Sequence, residues 1–242
     1  MYTKNDIIIK TRAELVKIEE LYQSIMINYR GKTFDTKEEY SEVIAEELLN
    51  IGIKNKMGSI NGIVRQKGYC VKSHNGQVTT NTTAGNSNRK EELFAIRLFN
   101  ESSQGKLFNH LGKVIDYQIP LKDILTNKAG KIDLISKNDE NIFLIELKIK
   151  DNKETLLRCI LEIATYYQIL SKSEFIQSYK HEFKNLVVKD IKKAILISKD
   201  SSQHAELKSI NNGGKINLKM LMDSLDIEAY VIDEETLNVE KA

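Results

Sequence analysis

The chain has 242 residues, 41% of them hydrophobic and 29% charged, with 36 Lys and Arg against 34 Asp and Glu for a net charge of +2. That apolar share supports the packed core of one large or two modest domains and excludes a disordered chain. Two cysteines, Cys70 and Cys159, exclude a disulfide framework, and the four histidines His74, His110, His181 and His204 lack the spacing of a zinc site.

No apolar run approaches the roughly 20 residues of a membrane span, and the opening MYTKNDIIIKTR lacks a signal-peptide core. A cytoplasmic protein is expected, with both cysteines serving as small buried hydrophobes in a reducing compartment.

At the N-terminal end, Thr11-x-x-Glu14 and Thr36-x-x-Glu39 have the form of capping boxes, in which each threonine and glutamate satisfies free helix-start amides. They predict one helix running to about Asn28 and another to about Leu49, where Asn50 and Gly52 stop it. A short third helix over residues 59–66 and a Gly76-centred hairpin over 69–79 would complete a winged helix-turn-helix outline within residues 1–80. In that outline Asn61, Arg65, Gln66 and Lys67 are the candidates to reach DNA. Three helices and a polar turn equally describe a dimerisation or packing module.

From Ile51 to Lys90 there is no Asp or Glu, yet the stretch carries Lys54, Lys56, Arg65, Lys67, Lys72, Arg89 and Lys90 with His74. Such a patch attracts phosphates by releasing their counterions, whatever the base sequence. Residues 77–88 are polar and rich in Gly and Thr, which reads as a linker and places a domain boundary there.

The second domain, 89–242, alternates helix and strand, the pattern of an α/β fold. Residues 89–100 form a helix with Phe94, Ala95 and Leu98 on one apolar stripe and Glu91 near its start. Residues 113–120 read as the first strand, ended by the only proline in the chain. Residues 130–150, GKIDLISKNDENIFLIELKIK, read as a buried hairpin interrupted by Asp133, Glu146 and Lys148. Glu146 and Lys148 are two apart and share a strand face, while Phe143, Ile145, Leu147 and Ile149 make the other face apolar. A turn of even length, at 138–139 or 137–140, would set Asp133 opposite Leu144, on the face of Glu146 and Lys148. A helix over about 153–170 carries Arg158, Glu162 and Tyr166 on one face at four-residue spacing. Strands at 193–198 and 227–233 follow, the last behind a helix near 218–225.

Asp133, then twelve residues, then Glu146-Leu147-Lys148 resembles the PD-(D/E)xK motif of the restriction-endonuclease-like nucleases, with Ile132 in the proline's place. The resemblance covers roughly residues 89–200 and implies a core of helix, three-stranded meander, second helix and a further strand. It also implies Mg²⁺ or Mn²⁺ held by Asp133, Glu146 and the Leu147 carbonyl, with Glu91 extending the site. Lys148 would position or activate the attacking water, and Arg158 would contact a phosphate. Glu162 and Tyr166 resemble the Q-x-x-x-Y element of some branches, with glutamate replacing glutamine.

These residue types suit the chemistry. Two carboxylates form a hard-oxygen site for a divalent ion, and an adjacent lysine offsets charge developing on a phosphate. The expected activity is metal-dependent hydrolysis of DNA, with Arg158, Arg65, Lys67 and Lys72 on the nucleic acid and a homodimer for double-strand cutting. Two other readings stay open: a non-catalytic DNA-binding protein on a nuclease-like scaffold, and a nuclease directed at RNA.

Overall fold

The computed structural model describes residues 1–63, 65–71, 74, 90–122 and 130–242. The expected linker at 77–88, most of the hairpin at 69–79, and Lys72 and Arg89 lie outside the described residues.

Thr3, rather than Thr11, starts the first helix, α1 (Lys4–Glu14). Its hydroxyl accepts from the Asp6 amide while the Asp6 carboxylate accepts from the Thr3 amide, which closes a capping box eight residues earlier than expected. Thr11 shares the buried stripe of α1 with Ile7 and donates its hydroxyl to the Ile7 carbonyl at 2.8 Å. Thr36 is likewise no cap, because its hydroxyl bonds to Thr33 and Glu38 and α2 (Tyr40–Asn50) begins after Glu39. Between these helices the chain runs through two 3₁₀ stretches, Leu15–Gln23 and Ile25–Asn28, with non-helical backbone at Lys17.

The helix expected at 59–66 lies earlier, as α3 (Ile53–Gly58). Ile53 and Met57, four apart, bury one stripe, and Gly52 at φ +69° breaks α2 from α3 in a conformation that favours glycine. Downstream, Ile63 forms a parallel bridge to Leu170 and donates its amide to the Ile169 carbonyl at 2.7 Å. This stretch is therefore tied to the C-terminal half instead of standing free as a recognition helix.

There follow α4 (Lys90–Ser103), β1 (Lys113–Pro120), β2 (Lys131–Lys137), β3 (Ile142–Lys148), α5 (Leu156–Ile169), α6 (Lys172–Ser178), α7 (Lys180–Phe183), β4 (Ile191–Ser198), α8 (Ser202–Asn211), α9 (Ile216–Ser224), β5 (Ile227–Ile232) and β6 (Val239–Lys241). The fold is mixed α/β, with one six-stranded sheet in the order β1-β2-β3-β4-β5-β6 among the described residues. β1, β2 and β3 are antiparallel, β3, β4 and β5 run parallel, and β6 returns antiparallel.

The alternation along β3 sorts its side chains between two layers. Phe143, Ile145 and Leu147 join Phe94 and Leu98 of α4 in one apolar cluster. Ile142 and Leu144 join Leu157, Ile160 and Leu161 of α5 in the other, which also takes in Ile7, Leu21, Ile44 and Leu48. Burying each such side chain contributes about 1.5–3 kcal/mol. The N-terminal helices thus share a continuous core with the sheet. Among the described residues no helix is long and apolar enough to cross a membrane.

Candidate active site

β3 is buried along its whole length, and on its α5 face the alternation that places Ile142 and Leu144 continues into Glu146 and Lys148. Only 2% of Glu146 and 4% of Lys148 is exposed, so both charges must be answered by protein groups.

The turn that sets their partner spans residues 138–141. Its length is even, as required for Asp133 to share their face, but it lies one residue later than expected. Asn138 is the reason: its side-chain oxygen accepts the amides of Glu140 and Asn141, and its own amide donates to the Asn141 carbonyl. Leu134 pairs with Ile145, so the register carried one residue further sets Asp133 level with Glu146, and the expected pairing with Leu144 is corrected. Asp133 Oδ2 accepts the Leu147 amide at 2.9 Å, and Oδ1 accepts the side-chain amide of Gln118 at 2.8 Å.

Around Lys148 the ion pairs are dense. Its Nζ lies 2.6 Å from Glu146 Oε1, 2.8 Å from Glu154 Oε2 and 3.7 Å from Glu162 Oε2. Arg158 adds a second cation, with Nε 2.9 Å from Glu154 Oε1 and 4.0 Å from Glu162 Oε2. Thr155 caps α5 through the Arg158 amide, which fixes the phase of the helix, and the four-residue spacing then brings Arg158, Glu162 and Tyr166 over the strand. The Tyr166 hydroxyl donates to Glu162 Oε1 at 2.7 Å, and its ring meets Tyr22 edge-on at 5.4 Å. Gly130 makes room for that hydroxyl, since a Cβ there would lie 1.7 Å from it.

Glu91 reaches the cluster from α4. Its Oε1 accepts from Asn152, whose own Oδ1 takes the Glu154 amide and the Gln203 side chain. Five carboxylates, Glu91, Asp133, Glu146, Glu154 and Glu162, therefore face two cations, Lys148 and Arg158. The excess is visible in the proton affinities. Burial, reinforced by Glu91 and Glu162, pushes Asp133 up to about 7. Burial and the neighbouring Asp133 and Glu162 hold Glu146 well above the usual carboxylate range. Burial also raises Glu91, against the pull of Lys148. Glu154 is lowered despite its burial, because Lys148 and Arg158 favour its charge. Burial alone would lower Lys148, yet Glu146 and Glu162 outweigh it and keep the amine protonated.

Glu146 Oε2 is buried without a hydrogen-bond partner. Among the described residues no three His, Cys, Asp or Glu side chains are grouped so as to hold a metal ion. The glutamates instead close on the Lys148 ammonium. In charge and donor type the set nonetheless suits a hard divalent cation: two carboxylates level on adjacent strands, one with a free oxygen, in a cluster with more acid than its cations neutralise.

Glu154, Asn152 and Gln118 were not among the expected site residues. Glu154 could have been found from its i, i+4 spacing to Arg158, whereas Gln118 gave no signal, because its backbone takes a positive φ of 49° at the end of β1.

The basic segment is placed differently from the expectation. Arg65 is buried, with Nη1 donating to the Pro120 carbonyl and the guanidinium 5.5 Å from the Tyr69 ring centroid, so it braces the fold. Lys54 pairs with Asp226 and Lys90 with Asp151, while His74 binds the buried Asp116 through Nδ1 at 2.6 Å. Lys56 and Lys67 are exposed. Of the cysteines, Cys159 is buried as expected, but Cys70 is exposed. Compared with protein-family models, curated proteins and solved structures, the chain finds no match, and the site stands on its own residues.

Proposed function

We propose that the chain is a PD-(D/E)xK-type nuclease with a restriction-endonuclease-like core, hydrolysing phosphodiester bonds in DNA with Mg²⁺ or Mn²⁺. The observation that carries this reading is the convergence of Asp133, Glu146 and Lys148 on one buried sheet face with an excess of acid around them. The order α4, β1, β2, β3, α5, β4 supports the proposed core. Asp133 and Glu146 would hold the divalent ion. When bound, such an ion supplies positive charge that polarises a phosphate and acidifies water. Lys148 would act as a charged donor that orients water or phosphate, since its glutamate neighbours favour the protonated amine. Arg158 is placed to answer charge on a phosphate oxygen. Lys56 and Lys67 add sequence-independent grip. A symmetric homodimer would present two such centres to the two strands.

A second reading has one observation in its favour. Lys148 already carries three glutamates, as in a purely structural ion cluster on a scaffold that binds DNA without cutting it.

The test is cleavage of supercoiled and linear DNA, and of RNA of the same sequence, with Mg²⁺, Mn²⁺ or EDTA. Lys148→Ala and Asp133→Asn should each lower a metal-dependent cutting rate by about 100-fold or more. Binding without cutting, equal in EDTA and unchanged by Glu146→Gln, would establish the second reading instead.

A further inference from the structure

A second concentration of positive charge lies away from Lys148, around Tyr167. Lys172 from α6 and Lys193 from β4 each set an ammonium 4.3 Å from the ring centroid of the half-buried Tyr167 on α5. The two nitrogens are therefore within twice that distance of one another. Among the described residues, neither has a carboxylate within ion-pair range. Asp226, whose charge is felt at Lys193, is paired with Lys54 at 2.8 Å. Burial lowers both lysines from their usual range, and Lys54 and Lys172 push Lys193 further the same way.

An aromatic face attracts each ammonium but carries no net charge, so it cannot cancel the repulsion between two of them. An anion with several oxygens can, by bringing negative charge near both. A phosphate group has that form. The surface continues into the acid-free stretch: Ile63 is bonded to the Ile169 carbonyl just beyond Tyr167, and Lys54 and Lys56 lie on α3. Two amines side by side, with further lysines on α3, fit a repeating anion better than a single small one. Lys193 pairs with Leu144, four residues before Lys148 in β3, which separates the two centres by about 13 Å along the strand at ~3.3 Å per residue.

We propose that Lys172 and Lys193, converging on Tyr167, form a phosphate-binding site, distinct from the Asp133–Glu146–Lys148 centre, that takes a phosphodiester group of a nucleic-acid backbone. The site needs no metal and no cutting, so only the choice of polymer rests on the nuclease reading.

The experiment titrates the full chain with a labelled DNA duplex in EDTA over a range of NaCl concentrations, comparing wild type with Lys172→Ala, Lys193→Ala, the double alanine variant and the double arginine variant. Thermal melting checks that each is folded. Each alanine should weaken binding to any sequence and reduce the slope of log affinity against log salt by about 1, the pair by about 2, with arginine restoring it. A parallel arm measures the rise in melting temperature given by inorganic phosphate. If DNA affinity and slope are unchanged, or wild type does not bind DNA, while the phosphate response is lost in the double variant, the site takes free phosphate and the backbone assignment falls. If neither readout changes, the site itself is overturned. Because binding is read without metal, these outcomes are separate from a failure of cleavage, which Lys148→Ala reports.

Discussion

At the scale of single residues, the site is defined by carboxylates held where their charge is unwelcome. Asp133 has a native proton affinity near 7, above its ordinary value of 3.8, so the folded state binds the proton more tightly than the unfolded chain. Its contribution to stability is complete below about pH 4 and is lost as pH rises towards 7, and Glu146 is shifted in the same direction. Asp133→Asn removes the ionisable group while its amide can still accept from Leu147 and donate to a flipped Gln118. Because the surrounding protein relaxes around a buried charge, the gain at pH 8 in EDTA should be ~2–3 kcal/mol, or about 5–10 °C in melting temperature, and should vanish at pH 4. Melting curves at both pH values check it. On the proposed nuclease reading, the variant that gains stability is also the one expected to lose cleavage.

At the scale of elements, α5 and the hairpin are locked together at one contact with no slack. Gly130 lies just before β2, beneath the Tyr166 hydroxyl. Gly130→Ala must push that ring away from Glu162 and should lower stability by about 1–3 kcal/mol and, on the proposed nuclease reading, reduce cutting; denaturant melting and the plasmid assay read both. The start of α1 offers a simpler case. Thr3→Ala removes one arm of the capping box and should lower stability by about 1 kcal/mol, with cutting by the folded protein unchanged.

At the scale of the whole molecule, the N-terminal helices and the α5 side of the sheet belong to one apolar cluster. Leu48 of α2 is fully buried in it. Leu48→Ala should therefore destabilise by about 2–5 kcal/mol, and the helical and tyrosine signals should shift together in a single transition. Two separate transitions, only one of them moved, would mean that the halves fold independently. The apolar layer also joins the ends of the site, since Tyr22 from the N-terminal 3₁₀ stretch packs on Tyr166.

The sequence by itself determined what depends on short-range periodicity. The two-residue alternation of β3 assigned Glu146 and Lys148 to one face and Phe143, Ile145 and Leu147 to the other, and the four-residue spacing of Arg158, Glu162 and Tyr166 set them on one side of α5. Both hold because backbone geometry alone decides which side chains share a face. What the tertiary structure decided was everything requiring distant segments to choose among equivalent options. Thr3 and Thr11 both had a capping residue's chemistry, and the burial of Ile7 beside Thr11 selected Thr3. Asp133 could meet Leu144 or Glu146 in an even turn, and the Asn138 side chain chose the second. Arg65 was an available cation until the Pro120 carbonyl and the Tyr69 ring took it inward. Glu154 enters the cluster, and Lys172 and Lys193 reach the same Tyr167 ring, only because α5 docks on the strands that carry Lys148 and Lys193. Local propensity fixes the period of an element, but packing and charge pairing between elements fix which of its residues meet.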